Sequence, residues 1–362
     1  MTSALSSSAV THRGISDRHQ RAIVVALVAA LVLAAAVIFS AGSGALAIPF
    51  RVTLGTISKG LFGHGPTLNG AEAIVWNLRF PRVLTAVLVG ASLGCSGAAM
   101  QGLFRNPLAD PYLLGVASGA SFGATLAWMV RGRLGSAFAE LPFAVVGLSN
   151  IVPLFAFVGA VSATLLTVLL AGIGPRSKEG SLLLAGVVLG SILTSATTYL
   201  MLRDADRIGA VFAWTMGSLS FSGWPGLAMA APYAGAGMIS LFAFARPLDA
   251  LQLGDDTART LGIRVARVRL AVIAGACLAT AAAVAFVGVV GFIGLVAPHV
   301  MRRLATPDHR SLLVNSALGG AVLLVLADLG ARTWVRPAEL PVGIVTTLLG
   351  GPFFLWLLRR EK

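Results

Sequence analysis

Residues 22–40 read AIVVALVAALVLAAAVIFS, with no charged side chain and no polar face. A surface helix of a soluble domain would carry a polar stripe beside its apolar one, and a strand of a membrane barrel would alternate in polarity. This stretch does neither. As a helix it is long enough to cross a hydrocarbon core about 30 Å thick, and a helix satisfies its own backbone polar groups where no water is present. Comparable runs recur down the chain, which predicts ten spans near 22–46, 83–104, 112–130, 150–172, 181–202, 226–245, 266–287, 291–303, 311–331 and 341–358. The expected fold is all-α, a polytopic membrane helix bundle.

Composition agrees, because 57% of the 362 residues are hydrophobic and only 11% charged, where soluble domains carry about 25% charged residues. The net charge of +13 comes from 24 Arg and 3 Lys. On a soluble protein such a surplus raises the question of nucleic acid, but here membrane topology accounts for it and no nucleic-acid partner is expected. With the N-terminus inside, 17 Arg and Lys fall on cytoplasmic segments and 10 on outer loops, as the positive-inside rule requires. The reading is therefore a cytoplasmic tail over 1–21, a ten-span domain over 22–362 and a cytoplasmic C-terminus, in a bacterial inner membrane. The tail leads into its first span without a convincing cleavage site, as an uncleaved start-transfer helix does.

Small residues at four-residue spacing, Gly90 with Gly94, Gly115 with Gly119 and Gly123, and Gly186 with Gly190, predict close helix contacts. Residues 82–93 (RVLTAVLVGASL) and 267–278 (RVRLAVIAGACL) match at seven of twelve positions. The predicted topology runs them in opposite directions, as a weak inverted repeat would.

The chemistry that is missing narrows the function. No lysine stands in a Gly-Lys-Ser/Thr phosphate loop, so no ATPase site and no catalytic residue is expected. Only Asp328 falls clearly within a span, four residues before Arg332, which suggests an ion pair and weighs against ion-coupled transport. Cys95 and Cys277 sit inside apolar runs as packing residues, and His299 has no neighbours at metal-ligand spacing; no metal or cofactor is expected on this chain.

Four basic residues, Arg51, Lys59, Arg79 and Arg82, crowd one outer loop. Arg79-Phe80-Pro81-Arg82 is expected to open the second span with both guanidiniums facing water, snorkelling or offering forked bonds to a partner's carboxylates. Inside, Arg105-Asn106-Pro107-Leu108-Ala109-Asp110-Pro111 reads as a sharp turn, with Asn106 placed to cap the next helix. In the loop over 246–265, Leu253-Gly254-Asp255-Asp256-Thr257-Ala258-Arg259-Thr260-Leu261-Gly262 reads as a short helix closed by Gly262.

Together RFPR at 79–82, NPLADP at 106–111, LLLAG at 182–186, MGSL at 216–219, the 253–262 segment, GFIGLVAPH at 291–299 and ELPVG at 339–343 resemble the permeases of type II ABC importers for cobalamin, ferric siderophores or haem. The resemblance implies a subunit that pairs with a second copy, two cytoplasmic ATPase subunits that use ATP and Mg, and an extracytoplasmic binding protein. It implies docking of that protein on Arg79, Arg82 and Arg332, and a cytoplasmic gate at Asn106 and Leu108. ATPase coupling falls to Leu253, Gly254, Asp255, Ala258, Arg259, Leu261 and Gly262. A second gate element of some relatives is not matched, since Glu179-Gly180-Ser181 stands in its place. Ferric siderophore is the first expectation for cargo, then haem, with cobalamin as the alternative and an ion-coupled carrier behind them.

Overall fold

The computed structural model describes residues 3–44, 46–63, 70–134, 151–172, 179–204, 208–220, 222–305, 308–335 and 337–360. These residues are helical, with no strand among them. In order they form α1 (Ser3–Gly42), α2 (Phe50–Leu61), α3 (Gly70–Ala73), α4 (Phe80–Leu103), α5 (Val116–Leu134), α6 (Ile151–Ala171), α7 (Glu179–Arg203), α8 (Ile208–Thr215), α9 (Trp224–Ala243), α10 (Ala245–Gln252), α11 (Asp255–Thr260), α12 (Val265–Val287), α13 (Ile293–Leu304), α14 (His309–Thr333) and α15 (Val342–Arg360).

Seven helical stretches are long and apolar enough to span a membrane: Gln20–Gly42, Gly70–Leu103, Ile151–Ala171, Gly180–Arg203, Trp224–Ala243, Val265–Val287 and His309–Thr333. Val116–Val130 and Val342–Leu357 are apolar but shorter, and α13 has only 12 residues. Of the ten expected spans, seven coincide with these stretches, α5 and α15 are apolar helices of 19 residues, and α13 alone is short.

Two helices form the heart of the bundle. The windows in Gly70–Leu103 and Val265–Val287 are 78% and 72% buried, while those of the first span and of α7 are only 17% buried. One core cluster joins Cys95–Leu103 of α4 to Val265–Ala276 of α12, and another joins Val83–Leu93 to Ala283 and Val287. The two helices therefore pack antiparallel, as predicted for the segments that echo each other. α4 also lies tightly on α14, where a methyl group on Gly94 would strike the Ser316 carbonyl and one on Gly320 the Gly90 carbonyl. The glycine spacing read from sequence marks this seam and the one between α5 and α6, where Gly119 meets Gly159.

α1 runs unbroken from Ser3 into the first span. One local expectation changes. Pro81 does not start a helix: residues 70–103 are one continuous helical run, interrupted only by a π-helical turn over Ile74–Arg79 just before the proline. A wider turn is a known way to absorb the ring and the missing N–H of proline. Between the expected spans lie two further short helices, α2 and α8, that the span pattern does not reveal. The segment between the expected spans 112–130 and 150–172 falls largely on residues 135–150, which lie outside the described residues, as does the side chain of Glu179.

Candidate functional site

The residues singled out by sequence gather at the two ends of the bundle, with an open groove between them. At the first end, Arg82 leaves α4 and donates from Nε and Nη2 to Asp328 Oδ1 of α14 at 3.0 and 2.8 Å, and from Nη1 to Glu339 Oε2 at 2.8 Å. Asp328 Oδ2 also lies 3.0 Å from Arg332 Nε, a charge contact without the alignment of a hydrogen bond. Arg332 turns its remaining donors to the end of α1, reaching the Ser43 carbonyl at 2.8 Å and Ser40 Oγ at 2.5 Å. Arg79 does the same beside it, donating to the carbonyls of Gly42 at 2.9 Å and Leu46 at 2.6 Å. Cations are well placed there, because the last carbonyls of a helix lack partners and carry the negative end of its dipole.

Arg79 and Arg82, expected to face water, are instead buried at 9% and 8% exposure, and Arg332 is buried beside them at 4%. The reason is charge compensation. Two guanidiniums and the carboxylates of Asp328 and Glu339 make a neutral group of four, and a desolvated charge is tolerated only when so paired. The exposed member is Glu339, with 43% of its side chain open. Burial alone would raise its carboxyl, but the bonds from Arg82 and Ser220 hold it below the ordinary range. The i,i+4 pair between Asp328 and Arg332 was legible in sequence; the second partner, Arg82, lies 246 residues away and was not.

At the opposite end, α4 stops at Leu103 and the chain turns through Arg105–Asp110. Asn106 caps this turn rather than the next helix, its Oδ1 accepting from the Leu108 N–H at 2.9 Å. Asp110 caps instead, accepting from the Tyr112 N–H at 2.8 Å at the start of a 3-10 turn over Pro111–Leu114. Leu108 is 37% exposed. Arg105, just before Asn106, has φ +48°, a left-handed conformation that disfavours a residue with a Cβ.

The predicted short helix is present as α11, and Gly262 closes it at φ +80° with its N–H on the Arg259 carbonyl. Gly254 precedes it at φ +103°. Leu253 and Leu261 are exposed and Ala258 is buried against the core. Arg259 pairs with Asp256 at 2.8 Å on the open face. Asp255 is different, because it lies 3.1 Å from Arg269 of α12 and 3.7 Å from Arg105 of the turn. Further bonds tie the preceding α10 to the bundle: Gln252 Nε2 donates to the Gly102 carbonyl of α4 at 2.6 Å, and Asp249 meets His309 Nδ1 of α14 at 2.6 Å. The turn and α11 are connected through Arg105 and Asp255, which sequence reading did not foresee.

Between the ends, Gly186 of α7 meets the Leu113 carbonyl in the 3-10 turn that precedes α5, and α5 and α7 then part around an open groove of about 630 Å³. Elsewhere MGSL, GFIGLVAPH and ELPVG converge: Gly217 approaches the Val289 carbonyl and Gly343 the Met216 carbonyl. His299 lies edge-on to Phe353, with ring centroids 6.2 Å apart.

Residues 31–360 match the FecCD transport family. The chain is 41% identical over 325 residues to a hemin transport system permease protein of Yersinia pestis, covering 89% of this chain and 91% of that one. It is 41% identical over 292 residues to a cobalamin import system permease protein of Halobacterium salinarum, covering 81% and 75%. Its fold matches an inward-facing ABC transporter described as of metal-chelate type, with a TM-score of 0.73 and 30% identity, over 92% of this chain and 98% of that one. The chain belongs to the FecCD transport family, as a membrane-spanning permease subunit whose ATPase is a separate chain.

Proposed function

We propose that this permease imports an iron chelate, a ferric siderophore in the first instance and haem in the second, delivered by a binding protein and driven by ATP hydrolysis on partner subunits. It would work as a pair with a second copy, in a bacterial inner membrane, with both termini and α11 on the cytoplasmic side. The observation that carries the reading is the link through Asp255. An ATPase dimer that moves α11 would also pull on Arg105, next to Asn106 and Leu108 at the proposed gate.

Docking on Arg79, Arg82 and Arg332 takes a specific form on this geometry. Acidic side chains of a binding protein would have to replace the partners these arginines already hold, Glu339 for Arg82 and the α1 carbonyls for the other two. Glu339 is the easiest to displace, being the most exposed. Asp328, the carboxylate that sequence placed within a span, is held between two arginines, an arrangement that favours structure over ion coupling. Cobalamin is the second reading, favoured by the name of the Halobacterium salinarum relative.

The test is reconstitution of the permease with its ATPase subunits and binding protein in liposomes. Uptake of a ferric chelate should require ATP and survive collapse of the proton gradient. Uptake that follows the gradient at constant ATP would refute the reading. Replacing Arg79 and Arg82 with Glu should abolish stimulation of the ATPase by the binding protein.

A further inference from the structure

The π-helical turn over Ile74–Arg79 ends on one of the three arginines at the first end of the bundle. In this turn the N–H of Phe80 donates to the Val75 carbonyl, five residues back. The next donor in the same register would belong to residue 81, which is proline and has none. The Trp76 carbonyl is therefore left over by the backbone ladder. Its partner comes from another helix: the indole N–H of Trp224, in the first turn of α9, donates to it at 2.8 Å.

Packing fixes the rings that make this bond. The Trp76 centroid lies 5.0 Å from that of Trp224 and 5.6 Å from that of Phe80, and Trp224 stands edge-on to Phe80 at 5.8 Å. The Trp76 ring also fills the space that a side chain on Gly60 of α2 would take. The segment leading into α9 touches the second arginine too, since Ser220 donates at 2.9 Å to Glu339, the carboxylate that Arg82 holds.

Register decides where Arg79 points. A π turn closes on one residue more than an α turn, so converting this one to α geometry would carry the residues ahead of Pro81 on by one position, about 100° around the axis. Arg79 would then leave the Gly42 and Leu46 carbonyls that it now holds. In the α form the proline ring would also meet the carbonyl of Asn77, four residues back. Pro81 thus disfavours the α form, and Trp224 supplies the donor that the π form lacks.

We infer that Trp224 is a positioning residue for docking of the binding protein: its N–H keeps the turn over Ile74–Arg79 in the π register and so aims Arg79. The inference rests on the docking role proposed for Arg79, and adds a residue on a different helix that sets the direction of that guanidinium.

The experiment titrates the binding protein onto liposomes holding the permease with its ATPase subunits and follows the ATPase rate. Trp224→Phe keeps a ring in the aromatic cluster and removes the donor. The concentration of binding protein for half-maximal stimulation should rise about ten-fold, with the rate at saturation within about two-fold of wild type. Two backgrounds separate register from packing. Pro81→Ala gives residue 81 an N–H and Arg79→Ala removes the group being aimed, so on either of them Trp224→Phe should add less than about two-fold. A full loss on either background, or none in the otherwise wild-type chain, overturns the inference. Should Trp224→Phe fail to fold, 3-benzothienylalanine at position 224 keeps both rings and replaces the N–H with sulfur; normal docking by that protein overturns the inference equally. Arg79→Glu tests the reading beneath. If it docks normally, docking at Arg79 fails and the inference with it; if it loses docking while Trp224→Phe keeps it, the inference alone fails.

Discussion

Asp328 and Asp255 are each a carboxylate between two arginines, yet they sit in opposite surroundings. Asp328 is 1% exposed, 2.8 Å from Arg82 and 3.0 Å from Arg332. Asp255 is 25% exposed, 3.1 Å from Arg269 and 3.7 Å from Arg105. At the first site water cannot replace a lost partner, so the three side chains hold α4 and α14 in one arrangement. At the second, water competes, the contacts are longer, and one arginine belongs to a turn that must move if the gate does. The same chemistry makes a fixed joint in one place and an adjustable link in the other.

The largest effect should come from Asp328→Asn, which leaves two buried guanidiniums facing one another with only Glu339 to balance them. A loss of about 3–5 kcal/mol is expected, from the usual consequence of breaking a buried pair, seen as a steep fall in the detergent-solubilised melting temperature. Near-wild-type melting would show that the first joint is not fixed at all.

Glu339→Gln should cost about 1 kcal/mol or less, because the side chain is half open to solvent. Its effect also has a pH signature. The folded carboxyl titrates below its ordinary value of 4.5, so the stabilisation is complete above that pH and is lost as pH falls through the lowered value. The stability difference between wild type and Glu339→Gln should therefore be flat near neutrality and close in acid; a gap that widens in acid would reverse the assignment.

Asp255→Asn should change stability by less than about 1 kcal/mol but reduce the chelate moved per ATP hydrolysed. Coupled transport at wild-type efficiency would remove Asp255 from the link. Smallest of all, Arg105→Gly relieves a left-handed residue while giving up a long ion pair, and the two should cancel to within about 0.5 kcal/mol. Melting temperature would stay put while transport coupling drops; a clear gain in both would mean that the strain serves no purpose.

The bundle was legible because a run such as 22–40 has only one conformation open to it in lipid, and because Gly90, Gly94 and Gly119 mark where backbones must touch. The short helix at α11 was legible from its glycines. The length of the eighth span was legible only as short, and α13, with Pro298 inside it, has 12 residues. The exposure of Arg79 and Arg82 was misread. Position in sequence shows that Arg79 and Arg82 lie near an interface, but not that Glu339 and the end of α1 come across to neutralise them. Asp255 meets Arg105 for the same reason: partners 150 residues apart leave no local pattern.

The grip of α14 on α1 has a consequence for how the chain is made. Asn315 reaches the Ala22 carbonyl at 3.4 Å and Arg332 holds Ser40 and Ser43, so the first helix is clasped near both ends of its span by the fourteenth. The ribosome releases α1 long before its clasp exists. A chain cut short ahead of residue 315 keeps the hold of Arg79 on the Gly42 carbonyl at the end of α1 but lacks both contacts from α14. A helix synthesised near the start of the chain thus gets part of its anchorage only near the finish.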